Sequence, residues 1–399
     1  MSPTDANVNP SSPAAAGSAA QPRRGYQSQW QLIRRAFAKH RLGMISLKVL
    51  VVLYAGAFLA EWVSTQPAQE RRIGFAYVPP MTPGWGFSGG LECPLLIPRV
   101  DESTLRRRYA KSESLKLPLT LLAESEPYRL LGLIPLEHRL IGVDRARWEQ
   151  QLAQKPDAAQ QLPAGYEPQF YPLGADRYGR CVFSRLIAGA RVSLSIGLIG
   201  IPFTLILGLT IGGVSGYVGG RTDTVIQRII EIVNSVPELP LWIALAAIFP
   251  STWSPLQSYF AITIMLALLG WTGLARVTRG KILSLREEDY AVAARLLGAS
   301  HARVLFRHLL PGFTSHVLVV VTLAVPTMIL GETALSFLGI GLREPVVSWG
   351  VMLQDCFDVK AVRFYPWLLS PTIFIVLTVL AFNFVGDGMR DAADPYASS

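Results

Sequence analysis

The sequence is short of charge, cysteine and histidine, and each shortage removes a class of function. Only 16% of the 399 residues are charged, against 50% hydrophobic. With a positive mean hydropathy, this excludes an ordinary soluble domain and indicates an integral membrane protein. The three cysteines, Cys93, Cys181 and Cys356, have no metal-ligand spacing and form no Cys-x-x-Cys, and the five histidines do not cluster. No metal site is expected. A phosphate cradle is missing too, because Gly280-Lys281 is followed by Ile and lacks the preceding glycine spacing. No nucleotide or other cofactor should bind this chain itself. The spans contain neither His-Glu-x-x-His nor Gly-x-Ser-x-Gly, which leaves an intramembrane hydrolase without its usual groups. The formal charge of +9 does not indicate nucleic acid. Many of the basic residues cluster beside apolar runs, as the positive-inside rule expects.

What the chain has is a series of apolar runs. Residues 1–28 form a leader, mostly Ser, Ala, Pro, Asn, Gln and Gly over the first 22 or so, and are expected to be a disordered cytoplasmic tail. Residues 29–64 hold an interfacial helix and the first span. Trp30, Ile33 and Phe37 share one helical face ringed by Arg34, Arg35, Lys39, His40 and Arg41, which suits a helix lying on an anionic leaflet. The first span then runs from about Leu42 to Val63. Residues 65–185 are polar and are expected outside, since loops of this length translocate regardless of their arginines. Tyr128 to Val143 mixes short apolar runs with Gly and Pro, so the insertion should be a small α+β unit. Cys93 and Cys181 there are either a disulfide tying it to its base or unpaired thiols like Cys356; sequence leaves both open.

Residues 186–399 hold five more spans: Val192 to Gly220, Ile229 to Phe249, Tyr259 to Ala275, Phe313 to Leu330 and Trp367 to Val385. Gly208, Gly212 and Gly216 repeat at four-residue spacing and predict close helix packing. The third span contains Glu231, Asn234, Pro237, Glu238 and Pro240. Asn234 and Glu238 are candidates for lining a polar path, as ionisable groups at membrane depth usually do; the other reading puts Glu231 and Glu238 at the interface. Six spans leave both termini and the loop 276–312 on the cytoplasmic side.

That loop reads as helix, turn, helix. Tyr290, Ala293, Ala294 and Leu297 lie on one face. Gly298 ends the first helix and Ser300 caps a second, in which Ala302, Leu305, Phe306 and Leu309 repeat the spacing. Leu310-Pro311 ends it. The pattern resembles the cytoplasmic loop of permease subunits of binding-protein-dependent ABC importers. Ala293, Ala294, Gly298 and Leu310-Pro311 match that family's motif, whereas Val292 stands where the family has Glu and His308 where it has Ile.

Further stretches resemble the C-type permease subunit of dipeptide, oligopeptide and nickel importers. They are Leu173 to Leu194, with Cys181 where the branch usually has Asp; Glu332 to Leu353; Tyr365 to Pro395; and, more loosely, the first span. The resemblance implies an all-α membrane protein of six transmembrane helices in the MetI-like fold, with an external insertion between the first two. It also implies a non-catalytic permease subunit in a bacterial inner membrane. Its partners would be a second permease in a heterodimer, two ATPase subunits that hold the ATP, and an extracytoplasmic solute-binding protein. Peptides are the implied solute, with nickel or another non-peptide solute as the alternative. A membrane sensor using the insertion as a ligand domain is the reading from another class.

Overall fold

The computed structural model describes residues 29–85, 90–100, 107–160, 162–163, 166–250 and 252–393. The tail expected at 1–28 lies outside them. The chain opens with α1 (Gln29–Lys39), α2 (Arg41–Phe58) and the one-turn α3 (Ala60–Val63). The insertion follows as β1 (Gly84–Trp85), β2 (Leu91–Val100), β3 (Arg107–Leu130), β4 (Ile134–Val143), α4 (Arg145–Gln154) and α5 (Pro156–Ala159). Next come α6 (Val182–Val218), α7 (Gly220–Ser235), α8 (Glu238–Ala246), α9 (Pro255–Leu285), α10 (Asp289–Leu296) and α11 (His301–Arg303). The chain finishes with α12 (Thr314–Phe337), α13 (Trp349–Leu353), α14 (Val359–Phe364) and α15 (Ser370–Ala393). Among the described residues five helices, α2, α6, α9, α12 and α15, are long and apolar enough to cross a membrane; the bent pair α7–α8 makes a sixth.

Several elements depart from the sequence expectation. The apolar face of α1 does not lie open to lipid. Ile33 and Phe37 are buried, and the Phe37 ring packs into a slot left by Gly43 of α2 and Gly388 of α15, 3.1 and 3.0 Å from where their Cβ atoms would be. Helix α6 begins ten residues before Val192, so a boundary between residues 185 and 186 falls inside it. Hydropathy missed this turn because its arginines are charged, yet both are neutralised: Arg185 is buried on Asp176, and Arg191 reaches Glu61. Helix α9 runs past Ala275 to Leu285 and carries Arg276, Arg279 and Lys281 on its last turns.

The third span is not one helix. Helices α7 and α8 meet at 84°. Val236 precedes a proline, which excludes it from the helical region, and it is extended at φ −90°, ψ 131°. Pro237 brings no N–H to continue the ladder.

Helices α6 and α9 pack tightly through the glycine row. A Cβ on Gly208 would strike Leu274, one on Gly212 the Ala275 backbone, and one on Gly216 would sit 2.7 Å from the Arg279 carbonyl oxygen. One core joins α1, α2, α6, α12 and α15, and a second joins α6, α8, α9 and α12.

The insertion is a four-stranded antiparallel sheet in the order β1-β2-β3-β4. Asp144 caps α4 through the Arg147 amide at 3.0 Å. Its own core includes Leu95, Leu115, Leu117, Trp148 and Tyr171. Cys93 and Cys181 lie in that core as free thiols, and Cys356 is free as well. Burial pushes the Cys93 thiol up to about 12, so it is an inert packing group.

Candidate functional site

The break between α7 and α8 opens a cavity of about 400 Å³. Thr204 of α6, Asn234 of α7, Glu238 and Trp242 of α8, and Thr272 and Arg276 of α9 line it, with α12 closing the remaining wall. Asn234 is held there by the Thr272 hydroxyl, which donates to its Oδ1 at 3.0 Å. The Trp242 indole N–H is buried without a hydrogen-bond partner among the described residues. Glu238 and Arg276 are exposed on the cavity wall. Neither has an ion-pair partner among the described residues, so the cavity presents one charge of each sign. Glu231 is elsewhere, in an exposed pair with Arg228 at 2.8 Å.

The structure thus brings Asn234 and Glu238 to one cavity. Trp242, Thr272 and Arg276 were not singled out from sequence. The available signal was the four-residue step from Glu238 to Trp242, one turn of the same helix.

The loop between α9 and α12 is a compact hairpin. Helix α10 ends with Gly298 in the left-handed region, at φ 80°. The Gly298 amide bonds the Arg295 carbonyl and the Ala299 amide bonds the Ala294 carbonyl, each at 3.0 Å, the pair of bonds that defines a Schellman stop. The Ser300 hydroxyl then accepts from the Arg303 amide at 3.4 Å and starts α11. Ala291, Val304, Leu305, Leu309 and Phe313 are buried against Ile282 of α9 and Val317 of α12.

The expected stripe of the second helix is only half right. Leu305 and Leu309 point inward, joined by Val304, while Ala302 and Phe306 face out. The chain widens to a π-helical turn over Val304–Leu309, and five-residue hydrogen bonding rotates the face away from a 3.6 period. Leu310 is half-buried and Pro311 exposed.

The outer face of α10 is apolar and uncovered. Tyr290 and Ala293 are exposed and Ala294 is half-buried. Leu296 and Leu297 are 83% and 88% exposed. Two arginines brace the hairpin from within: Arg286 Nη1 donates to the Gly216 carbonyl at 3.1 Å, and Arg295 Nη2 to the Arg286 carbonyl at 3.0 Å.

Two polar clusters escaped the sequence reading. Glu332 of α12 is fully buried and accepts hydroxyls from Ser336 at 2.8 Å, Ser348 at 2.7 Å and Ser193 at 3.3 Å. It locks α12, α6 and the segment before α13 together. A lone Glu in an apolar run was the signal. At the α6 entrance, Asp176 accepts from Arg180 and Arg185, each at 2.6 Å. Arg180 also donates to Glu344 at 2.7 Å, and Arg177 pairs with Asp355 at 3.0 Å. Burial pushes the Glu344 carboxyl up, but Arg180, Arg185 and Arg71 outweigh it and hold it below its usual value. Burial prevails at Asp355, which is raised.

Comparison with known proteins accounts for this architecture. Residues 208–398 match the family described as binding-protein-dependent transport system inner membrane component. Residues 28–80 match the N-terminal transmembrane domain of oligopeptide transport permease C. The chain is 41% identical over 224 residues to the oligopeptide transport system permease protein OppC of Bacillus subtilis, covering 56% of this chain and 71% of that one. It is 38% identical over 249 residues to the dipeptide transport system permease protein DppC of Lactococcus lactis, covering 62% and 69%. With OppC of Escherichia coli K12 the identity is 39% over 224 residues, covering 56% and 72%. With its spans, broken helix and helical hairpin in the matched region, this chain belongs to the family of inner-membrane permease components of binding-protein-dependent transport systems, in the C-type branch.

Proposed function

We propose that this chain is one of two permease subunits of an ABC importer that moves dipeptides, oligopeptides or similar small solutes across a bacterial inner membrane. Two cytoplasmic ATPase subunits supply the energy, and an extracytoplasmic binding protein delivers the solute. Both termini and the hairpin lie in the cytoplasm and the insertion lies outside. The chain itself carries out no catalysis and holds no cofactor; ATP is bound and cleaved on the partners.

One observation carries the proposal: the hairpin between α9 and α12 turns an uncovered apolar face outward while its inner face is welded to both helices. Exposed leucines rimmed by polar groups mark a protein-binding surface. Tyr290, Ala293, Ala294 and Gly298 are its contact and hinge residues, with Ser300, Leu310 and Pro311 fixing the second half. A push on α10 cannot be absorbed locally, because Ala291, Leu305 and Leu309 pack on Ile282 and Val317. It passes instead to α9 and α12, which wall the cavity. The glycine row transmits it to α6. Rocking these helices opens the cavity to one side and then the other.

The cavity chemistry supports a peptide solute. A free peptide carries an ammonium and a carboxylate, and the wall offers Glu238 for one and Arg276 for the other. Asn234 adds an amide for the backbone.

The test is reconstitution of the chain with its partner permease, ATPase subunits and binding protein in liposomes. Peptide-stimulated ATP hydrolysis and peptide uptake are expected, and Glu238→Gln or Arg276→Gln should lower uptake while leaving assembly with the ATPases intact. Failure of the ATPase subunits to copurify with the detergent-extracted chain would sink the reading.

A further inference from the structure

The tip of the β3–β4 hairpin has the wrong chemistry for a turn in water. Its loop is Leu131-Gly132-Leu133, flanked by Leu130 and Ile134. Turns in water favour Asn, Asp, Ser and Gly. Leu131 even adopts a positive φ of 53°, a region that leucine rarely enters. Leu133 is 80% exposed and Ile134 54% exposed, and among the described residues nothing covers them.

The position of the tip is fixed by its contacts. The sheet's core packs on Cys181 and Phe183, at the very start of α6. From there the hairpin descends along the helices. Arg139 of β4 donates to the Glu61 and Ser64 carbonyls of the α3 segment, at 3.2 and 3.1 Å. Both strands of the hairpin, β3 and β4, pack on the α3 segment. Arg191, which grips Glu61 at 2.6 and 2.7 Å, lies ten residues into α6 from Cys181, a descent of roughly 15 Å at 1.5 Å per residue.

That level is where the apolar surface of the spans ends. Phe58, the last residue of α2, is exposed and its carbonyl accepts from Arg191. Val51 and Val52 continue the exposed apolar surface below it.

We infer that Leu133 and Ile134, at the tip of the β3–β4 hairpin, insert into the lipid leaflet on the insertion's side and anchor the insertion to the membrane surface. The occupant is lipid acyl chain, because the tip is continuous with the lipid-facing side of α2. Two leucines, an isoleucine and an adjacent exposed Arg129 have the composition of an interfacial anchor, apolar below and cationic at headgroup level. The inference rests on α2 and α6 spanning the membrane and not on the transport reading.

The experiment uses the full chain in lipid nanodiscs. Leu133→Cys, made with Cys356→Ser, is labelled with an environment-sensitive fluorophore; Cys93 and Cys181 are buried, and labelling of the Cys356→Ser parent gives the background. Glu149→Cys, on the exposed side of α4, is the water-facing control. The Leu133 probe should emit to the blue of the control. Lipids spin-labelled near the headgroup end of the acyl chain should quench it roughly threefold more strongly, as for a group buried a few ångströms below the interface. Water-like emission with no lipid quenching would overturn the inference. Blue-shifted emission without lipid quenching would overturn it as well, since a protein surface would then cover the tip.

Discussion

Gly298 and Gly212 show how the same residue type serves two ends. A Cβ at Gly298 would meet nothing within 4 Å, so only its φ of 80° resists substitution. Gly298→Val therefore strains the turn by about 1–3 kcal/mol and tilts α11 without disturbing the spans. It should insert at normal level yet lose solute-stimulated ATP hydrolysis in proteoliposomes; full coupling would show that the hairpin is only a connector. Gly212 is the converse, since its Cβ would collide with the Ala275 backbone, which cannot swing aside. Gly212→Val should force α6 from α9, at a cost of about 1–3 kcal/mol or more, and lower the yield of folded protein on size exclusion. Glu332 gives the third test at this scale. Glu332→Ala leaves three serine hydroxyls without their acceptor, on the order of 1–3 kcal/mol for each one orphaned. Glu332→Gln keeps an acceptor oxygen. The alanine variant should melt well below the glutamine variant in detergent, and equal melting temperatures would remove the structural role assigned to that carboxyl.

Helices and their breaks were unevenly legible in the sequence. The apolar runs gave the spans because burial in lipid demands nothing but apolar side chains over some twenty residues. Ends were misjudged wherever a charge is neutralised in the folded chain. Arg185 and Arg191 read as loop residues and are helical because Asp176 and Glu61 meet them from distant segments. The α7–α8 bend was the opposite failure: Pro237 was visible, but apolar residues on both sides joined the two halves into one run. The hairpin turn was legible because Gly298 and Ser300 act locally, whereas the π-helical turn after Arg303 depends on tertiary packing of Leu305 and Leu309. The bend is itself testable. Pro237→Ala restores an N–H and frees Val236 to become helical, which should let α7 run on into the cavity. Uptake should fall while membrane insertion and ATPase binding persist, and unchanged uptake would mean that the bend is held by its surroundings and not by the proline.

At the scale of the whole molecule, two features escape any local reading: which distant charges meet, and which side of the membrane each part faces. The α6 entrance joins the insertion, α6 and the segment after α12 through Asp176, Arg177, Arg180, Arg185, Glu344 and Asp355, drawn from positions 176 to 355. Its pH response follows from two opposed shifts. Asp355 is raised by burial, so its ionisation disfavours the fold, and acidification relieves this first, between its raised value and the ordinary aspartate value. Glu344 is lowered by its arginines on balance. Its contribution is complete above the ordinary glutamate value and is lost as pH falls through the lowered one. Thermal stability in detergent should thus hold or rise slightly on mild acidification and then fall, and Glu344→Gln should blunt the later fall; a variant with the same acid-limb slope as the parent would exclude Glu344 as its source.

Sidedness rests on a different balance. Arg34, Arg35, Lys39 and Arg41 flank α2 at its start, and Arg276, Arg279, Lys281, Arg286, Arg295, Arg303 and Arg307 gather in and around the hairpin. Basic residues this close to span ends stay in the cytoplasm. The arginines of the insertion carry no such weight, because they sit in a folded unit of more than a hundred residues that would cross as a whole. On the topology proposed above, with α7–α8 counted as one span, the hairpin falls on the same side as both ends, opposite the sheet. Added cysteines at Ser300→Cys and Lys111→Cys, each made with Cys356→Ser so that only the buried Cys93 and Cys181 remain beside them, put this to an impermeant thiol reagent on intact cells. Position 111 should label at once and position 300 only after permeabilisation. The reverse pattern would invert the protein in the membrane and separate the hairpin from any cytoplasmic ATPase.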